Sequence, residues 1–398
     1  MKVFVVNCGS SSLKYQIIDM ETEYVLASGL AERIGMGVEG LISHKPTGKE
    51  KTVIDIKLDD HKSALSIIFK LLTDSEKGIL ASLDEIKAVG HRVLHGGMKY
   101  TESVLIDSSV KEAIKEFIPL GPLHNPANLQ GIEGCEAILP GVPQVAVFDT
   151  AFHQTMPDYA YIYPLPYEYF EKYQLRKYGF HGTSHRYITK RALSMLGDKG
   201  KRIITCHLGN GASCAAVLDG KVMDTSMGLT PLEGLAMGTR SGSVDPAVVK
   251  FLCENEGITV QQADDILNKK SGVLGISGIS NDFRDIEAQA DSSYRAALAL
   301  EIFYYRVRLT IGQYTAALGG ADAIVFTAGV GENSSAGREA ILQGLEFLGI
   351  EIDDELNAQR GRELDISTPA SKVRILVIPT NEELMIAQDT RDIVESLI

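Results

Sequence analysis

The sequence has no tryptophan, and its five cysteines, Cys8, Cys135, Cys206, Cys214 and Cys253, are odd in number and scattered without a C-x-x-C pair. That leaves no cysteine zinc motif, and the thiols read as reduced, in a cytoplasmic protein. No histidine pair has metal-ligand spacing such as H-E-x-x-H, which makes a zinc site improbable. No apolar run approaches the length of a membrane span. A strand-like run directly after Met1-Lys2 leaves no room for a signal peptide. Basic residues are in deficit: 39 Lys and Arg stand against 52 Asp and Glu, a formal charge of −13. This argues against a general nucleic-acid or anionic-membrane surface, so an anionic ligand must be held by a local site.

What is present is ordinary folded material: 398 residues, 44% hydrophobic and 23% charged. That length favours two domains of roughly 150–200 residues. Residues 3–19 read as an apolar strand, a turn of glycine and small polar residues, and a second strand ending at Asp19. Residues 203–219 repeat the pattern and align with the first copy without gaps. A duplicated strand-turn-strand whose turn offers N–H groups and hydroxyls suggests two half-domains closing on a polyphosphate. Further strands are expected at 24–28, 52–56, 86–93, 145–149, 322–327 and 373–378, with helical spacing at 61–73, 246–254, 260–268 and 293–318. The Pro- and Tyr-rich stretch 156–178 is a compositional break and a candidate boundary.

The first turn, Asn7-Cys8-Gly9-Ser10-Ser11-Ser12-Leu13-Lys14, combines close backbone approach at Gly9, hydroxyl donors including Ser10 and Ser12, and the point charge of Lys14. Asn7 at the strand end suits a hydrated Mg²⁺. In His91-Arg92-Val93-Leu94-His95-Gly96-Gly97, a guanidinium beside a Gly-Gly turn suits a small carboxylate or a phosphoryl group. Arg240 is held between glycines in Gly238-Thr239-Arg240-Ser241-Gly242, and two such guanidinia could neutralise a phosphoryl group in flight. Asp149 could orient Arg92 or act on the reacting oxygen, and His181 could donate to transition-state charge. His95, His153 and His185 read instead as buried, hydrogen-bonded histidines. The segments 280–285 and 329–333 are candidate nucleotide contacts; the second, Gly329-Val330-Gly331-Glu332-Asn333, follows a buried strand as a lone G-x-G.

Together these segments resemble the acetate kinase family, within the superfamily of acetate and sugar kinases, heat-shock chaperones and actin. The signatures are Asn7-x-Gly9-Ser10-Ser11-Ser12-x-Lys14 and His207-Leu208-Gly209-Asn210-Gly211-Ala212-Ser213, and the resemblance spans essentially the whole chain. It implies an α/β, duplicated actin-like (ribonuclease H-like) two-domain fold with a nucleotide cleft between the domains. Residues 1–149, closed by a C-terminal helix at 381–398, would form one domain and residues 150–380 the other. The implied reaction is Mg²⁺-dependent (or Mn²⁺-dependent), reversible transfer of the γ-phosphoryl of ATP to acetate, giving ADP and acetyl phosphate, in a cytoplasmic homodimer with no nucleic-acid or membrane partner. By the same resemblance, Asn7 and Glu382 belong to the metal site. Lys14, Ser10, Ser12, His207, Leu208, Gly209, Asn210, Gly211, Asp282, Phe283, Arg284, Gly329, Val330, Gly331, Glu332 and Asn333 belong to the nucleotide site. Arg92 holds the carboxylate, Asp149 is the catalytic acid, and His181 and Arg240 stabilise the transition state.

The implied acyl pocket is Leu94, Leu123, Phe180 and Pro231. Leu94 stands where many relatives have Val and the propionate kinases a smaller residue, so the chain leans towards acetate. A propionate or butyrate kinase is the nearest alternative. An ATP-switched binding protein like the heat-shock chaperones or actin is the alternative from another class, and it would not need Arg92, Arg240, His181 and Asp149 beside the nucleotide. Shortening Leu94 to Ala should shift kcat/KM from acetate towards propionate by the worth of one methylene, about 1–3 kcal/mol. An unchanged acetate-to-propionate ratio would remove Leu94 from the pocket.

Overall fold

A computed structural model describes residues 1–122, 124–197 and 200–397. The chain divides into two units, Met1–Phe152 with Asn381–Ile398, and His153–Thr380.

The first unit is built on eight strands: β1 (Lys2–Cys8), β2 (Ser12–Asp19), β3 (Tyr24–Glu32), β4 (Glu39–Pro46), β5 (Thr52–Lys57), β6 (Ile86–Val93), β7 (Val104–Leu105) and β8 (Gln144–Phe148). They form one sheet in the order β5-β4-β3-β2-β1-β6-β8-β7. Period-two alternation sends Val3 and Val5 to one face and Phe4 and Val6 to the other. Both faces are apolar because both are covered. Val3 and Val5 pack with Ile386 and Ala387 of the C-terminal helix Glu382–Glu395. Phe4 and Val6 share a core with Leu65, Ile68 and Phe69 of the helix His61–Leu72. That helix starts where its sequence signals a start: Asp60 and Ser63 form a reciprocal capping box.

The second unit carries β9 (Arg202–Leu208), β10 (Ala212–Leu218), β11 (Lys221–Thr225), β12 (Ala323–Thr327), β13 (Leu364–Asp365) and β14 (Arg374–Val377), in the order β11-β10-β9-β12-β14-β13. Its central part, β11-β10-β9-β12-β14, matches β3-β2-β1-β6-β8 of the first unit in order. It matches in sense as well: two antiparallel pairings on one side of β1 or β9 and two parallel ones on the other. The repeat seen in the sequence is therefore a repeat of whole sheets.

The gapless alignment of the two hairpins is corrected by their registers. In the first, Asn7 pairs with Lys14 and the Gly9 N–H bonds the Ser12 carbonyl at 2.8 Å. In the second, His207 pairs with Ser213 and the Gly209 N–H bonds the Gly211 carbonyl at 3.1 Å. The second turn is one residue shorter, so Ser213, not Cys214, is the structural counterpart of Lys14. A slip of one residue exchanges the faces of a strand, so only the register says which side chains stand beside the strand-end residues. The 293–318 pattern is a helix over Tyr294–Leu318, as its spacing predicts, and it contacts β10; the G-x-G segment after β12 lies in a short helix over Ala328–Asn333.

Gly90 of β6 shows how closely the C-terminal helix is seated. A Cβ there would lie 2.5 Å from Thr390 Oγ1 and 2.6 Å from Ile386 Cγ2. Gly90→Val should therefore destabilise the protein by about 1–3 kcal/mol through overpacking, read as a lowered urea midpoint. A midpoint equal to wild type would mean that this helix does not rest on β6 in solution.

Candidate active site

In the first unit, sheet register assembles the polar groups. Lys14 of β2, Asn7 of β1 and Arg92 of β6 are direct neighbours across three strands, and residues so paired project from the same face. Arg92 donates from Nε to Asp149 Oδ1 at 3.2 Å and from Nη2 to Oδ2 at 2.5 Å, and from Nη1 to Asn7 Oδ1 at 3.3 Å. Glu382, first residue of the C-terminal helix, brings a carboxylate oxygen to 3.9 Å from Arg92 Nε. Asp149 is fully buried just after β8, with its N–H on the Val93 carbonyl. Burial alone would disfavour the Arg92 charge, but Asp149 and Glu382 hold its pKa above the usual value. For Glu382 burial dominates and pushes the carboxyl up, against the pull of Arg92.

Two asparagines that the sequence reading did not single out fix this end of the sheet. Asn128 accepts from the Leu94 N–H at 3.0 Å and donates to the Cys8 carbonyl at 2.8 Å, tying the β1 end to the residue after β6. Asn125 accepts from the His95 N–H and donates to the carbonyls of His95 and Ile114. Both are buried on the helix Asn125–Ile138. The only signal in the sequence is a pair of amides three apart, at the spacing that places them on one face of the helix. His61 Nε2 donates to the Gly9 carbonyl at 2.8 Å and pins the first turn. Leu94 is buried, facing Gly121, where a Cβ would come within 3.1 Å of Leu94 Cδ2. Leu123 lies outside the described residues. Ser10 is exposed and Ser12 half-buried at the turn.

The second unit collects imidazoles, hydroxyls and a guanidinium. His181 has φ 59, a left-handed conformation unusual for a non-glycine residue, at the start of the helix Gly182–Leu196. Its ring stacks on that of His207, with centroids 4.2 Å apart. Its Nδ1 bonds Ser213 Oγ at 2.9 Å, and His207 Nδ1 bonds Ser184 Oγ at 2.7 Å. Arg240 donates from Nη1 to the Pro231 carbonyl at 3.1 Å, and among the described residues no carboxylate pairs with it. Burial accordingly lowers its pKa. A Cβ placed on Gly211 would stand 3.4 Å from His181 Nε2 and 3.5 Å from Arg240 Nη1. Glycine thus leaves open a spot that both groups border.

Beside this spot is a cavity of about 670 Å³. It is lined by Gly209, Asn210, Asp282, Phe283, Arg284, Gly329, Val330 and Asn333, and also by Asn281, Glu287, Ser334 and Arg360. Gly331, Glu332 and Leu208 are not on its wall. Leu208 is core, and Glu332 accepts from the N–H groups of Ala328 (2.7 Å) and Thr380 (3.2 Å), bracing the turn after β12. Phe180 is buried, its carbonyl accepting from His153 Nε2 at 3.0 Å.

Arg338, also unforeseen, is 1% exposed and spends its guanidinium on carbonyls of Gly331, Glu332 and Asn357 and the Asn357 side chain. It satisfies the C-terminal end of the short helix over Ala328–Asn333, which supplies one wall of the cavity.

A glycine turn under a guanidinium that meets no described carboxylate, next to a nucleotide-sized cavity, is the equipment of a phosphotransferase. The family model described as the acetokinase family matches residues 2–388, and the chain belongs to that family. It is 60% identical over 401 residues to an acetate kinase of Caldanaerobacter subterraneus subsp. tengcongensis, covering 100% of both chains. Among solved structures it matches an acetate kinase of Porphyromonas gingivalis at TM-score 0.94 and 49% identity, covering 99% of each chain. It also matches a propionate kinase of Francisella tularensis at TM-score 0.92 and 44% identity, covering 98% of this chain and 99% of that one. The two sheets are the duplicated actin-like α/β fold that the sequence resemblance implied.

Replacing Arg338 by Met should leave four carbonyl acceptors short of a donor and loosen the cavity wall. The expected result is a raised KM for ATP with acetate KM unchanged; equal effects on both would show general damage instead.

Proposed function

We propose that this protein transfers the γ-phosphoryl group of ATP to acetate, forming acetyl phosphate and ADP, and catalyses the reverse reaction. The observation that carries the reading is the open spot above Gly211, bordered by His181 Nε2 and by an Arg240 that has no carboxylate partner among the described residues. A desolvated guanidinium without a counter-charge is costly and is satisfied by an arriving anion. The acceptor is already a carboxylate, so an acetate oxygen attacks the γ-phosphorus as the bond to the ADP oxygen breaks, with no general base required. Catalysis then falls to positioning and charge stabilisation.

In this reading Arg92 receives the acetate carboxylate, with Asp149 as its positioning residue. Asp149 spends both carboxylate oxygens on Arg92, which favours orientation over a role as acid. Leu94, Phe180 and Pro231 shape the acyl site. Arg240 and His181 meet the transferring group. The 670 Å³ cavity takes the adenosine, and Lys14 and the serines of the first turn meet phosphate oxygens. Asn7 and Glu382 are oxygen donors that both reach Arg92, and the described residues hold no cluster of three His, Cys, Asp or Glu fit for a metal ion. Such a sparse oxygen set suits Mg²⁺, which keeps several waters and takes the rest of its ligands from phosphate. Once bound, the ion would neutralise charge on the polyphosphate. Among the described residues no helix is long and apolar enough to cross a membrane; we place the protein in the cytoplasm, as a homodimer.

Propionate is the second acceptor to test, because a propionate kinase shares the fold closely. An acyl-hydroxamate assay with ATP, Mg²⁺ and each short-chain acid decides between them, with acetate expected to give the highest kcat/KM. Arg240→Ala should lower turnover by about 10²–10³ with little change in ATP affinity. Near-normal turnover would remove Arg240 from the mechanism.

A further inference from the structure

Behind His181 lies a buried chain of hydroxyls and imidazoles that the phosphoryl-transfer reading leaves without a role. Ser213 Oγ sits 2.9 Å from His181 Nδ1 and 2.8 Å from His185 Nε2, and His185 Nδ1 sits 2.8 Å from Thr205 Oγ1. Thr205 Oγ1 in turn lies 3.4 Å from the carbonyl oxygen of Ala215. Thr205, His185 and Ser213 are all fully buried, out of reach of exchange with bulk water. Each hydroxyl has one proton to give, and a neutral imidazole has one donor and one acceptor nitrogen. The direction of the first bond therefore sets all the others.

A carbonyl oxygen can only accept, so the Thr205 proton points to Ala215. Thr205 Oγ1 then accepts from His185 Nδ1–H. His185 Nε2 is left as an acceptor and takes the proton of Ser213, and Ser213 Oγ accepts from His181 Nδ1–H. The chain is polar only while His185 is neutral. Burial, together with the nearby His153 and His207, pushes the His185 pKa well below its usual value and keeps it so.

We propose that Ser213, His185 and Thr205 are positioning residues that hold His181 as its Nδ1–H tautomer, so that Nε2, the nitrogen bordering the open spot above Gly211, must gain a proton before it can donate to a phosphoryl oxygen. This rests on the role given to His181 above. Among the groups facing His181 are the His207 ring stacked on it at 4.2 Å, Arg240 across the Gly211 spot, and His185 through Ser213. Arg240 disfavours a second positive charge there, and an arriving phosphoryl group favours it. The imidazolium therefore forms with the anion: one proton is taken up from solvent as the phosphoryl group binds, and is released when it leaves.

The test uses the full-length protein with ¹⁵N-labelled histidine, the His181 signals being assigned by their loss in His181→Gln. In the ligand-free enzyme at neutral pH, Nδ1 should carry the proton and Nε2 should not. Addition of Mg²⁺, ADP, acetate and aluminium fluoride should protonate both. Ser213→Ala should release His181 towards the Nε2–H tautomer that free histidine favours, and lower kcat by roughly 10- to 10²-fold without raising KM for ATP. Ser213→Thr should restore both tautomer and kcat. Thr205→Val, which breaks the chain at its far end, should move the tautomer the same way, and Thr205→Ser should not. An Nε2–H tautomer in the ligand-free wild type, or a tautomer indifferent to Ser213 and Thr205, overturns the proposal. A tautomer that shifts in Ser213→Ala while turnover stays normal would keep the relay and overturn the assignment of His181 to the transition state.

Discussion

Strand register is the constraint on which the candidate residues of each unit depend. Pairing of β1 with β2 and β6 brings Lys14, Asn7 and Arg92, far apart in the chain, into one line across the sheet. The corresponding pairings of β9 with β10 and β12 bring Ser213, His207 and Thr327 into the equivalent line in the second unit. One scaffold thus presents a charged line in one copy and a line of hydroxyls and imidazole in the other. A one-residue slip would turn the charged line of the first unit into the apolar core, where the cost of burying Lys14 and Arg92 forbids it. The dense apolar packing on both faces of β1 therefore positions the chemistry as well as stabilising the fold.

Three buried or half-buried arginines show how the same side chain takes different roles according to its partner. Arg92 is neutralised by Asp149 and steadied by Glu382, so it is held as a fixed cation. Arg338 donates to carbonyls of Gly331, Glu332 and Asn357 and serves as a brace for the turn after β12. Arg240 meets the Pro231 carbonyl and Met237 sulfur, with no acid beside it among the described residues. Removing one partner of a buried ion pair typically costs about 3–5 kcal/mol. A guanidinium that never had an acid partner already carries part of that penalty, which a bound anion relieves. This difference in pairing, more than the presence of arginine as such, separates structural from reactive positions here.

Much of the local structure was legible in the sequence because its causes are local. Apolar runs marked β1, β2, β9 and β10, the spacing at 61–73 marked a helix that the Asp60–Ser63 box begins, and the glycine-rich turns marked the strand ends. The family signatures, being contiguous strings, were equally plain. Less legible were β4, whose polar residues mask its alternation, and the helix Asn125–Ile138, whose buried amides look like surface residues until their carbonyl partners are known.

The sequence by itself determined the element types, the doubling of the hairpin and the family, since these follow from periodicity, turn chemistry and motifs a few residues long. Tertiary structure alone decided that the second hairpin turns one residue sooner, that Ser213 and not Cys214 takes the place of Lys14, that Asn125 and Asn128 brace the strand ends of the first unit, and that Arg338 braces the cavity wall of the second. It alone brought Ser213 and the His207 ring against His181. Each of these is set by which distant carbonyl, hydroxyl or ring lies within about 3 Å of the group in question, and such proximity is a property of the folded chain.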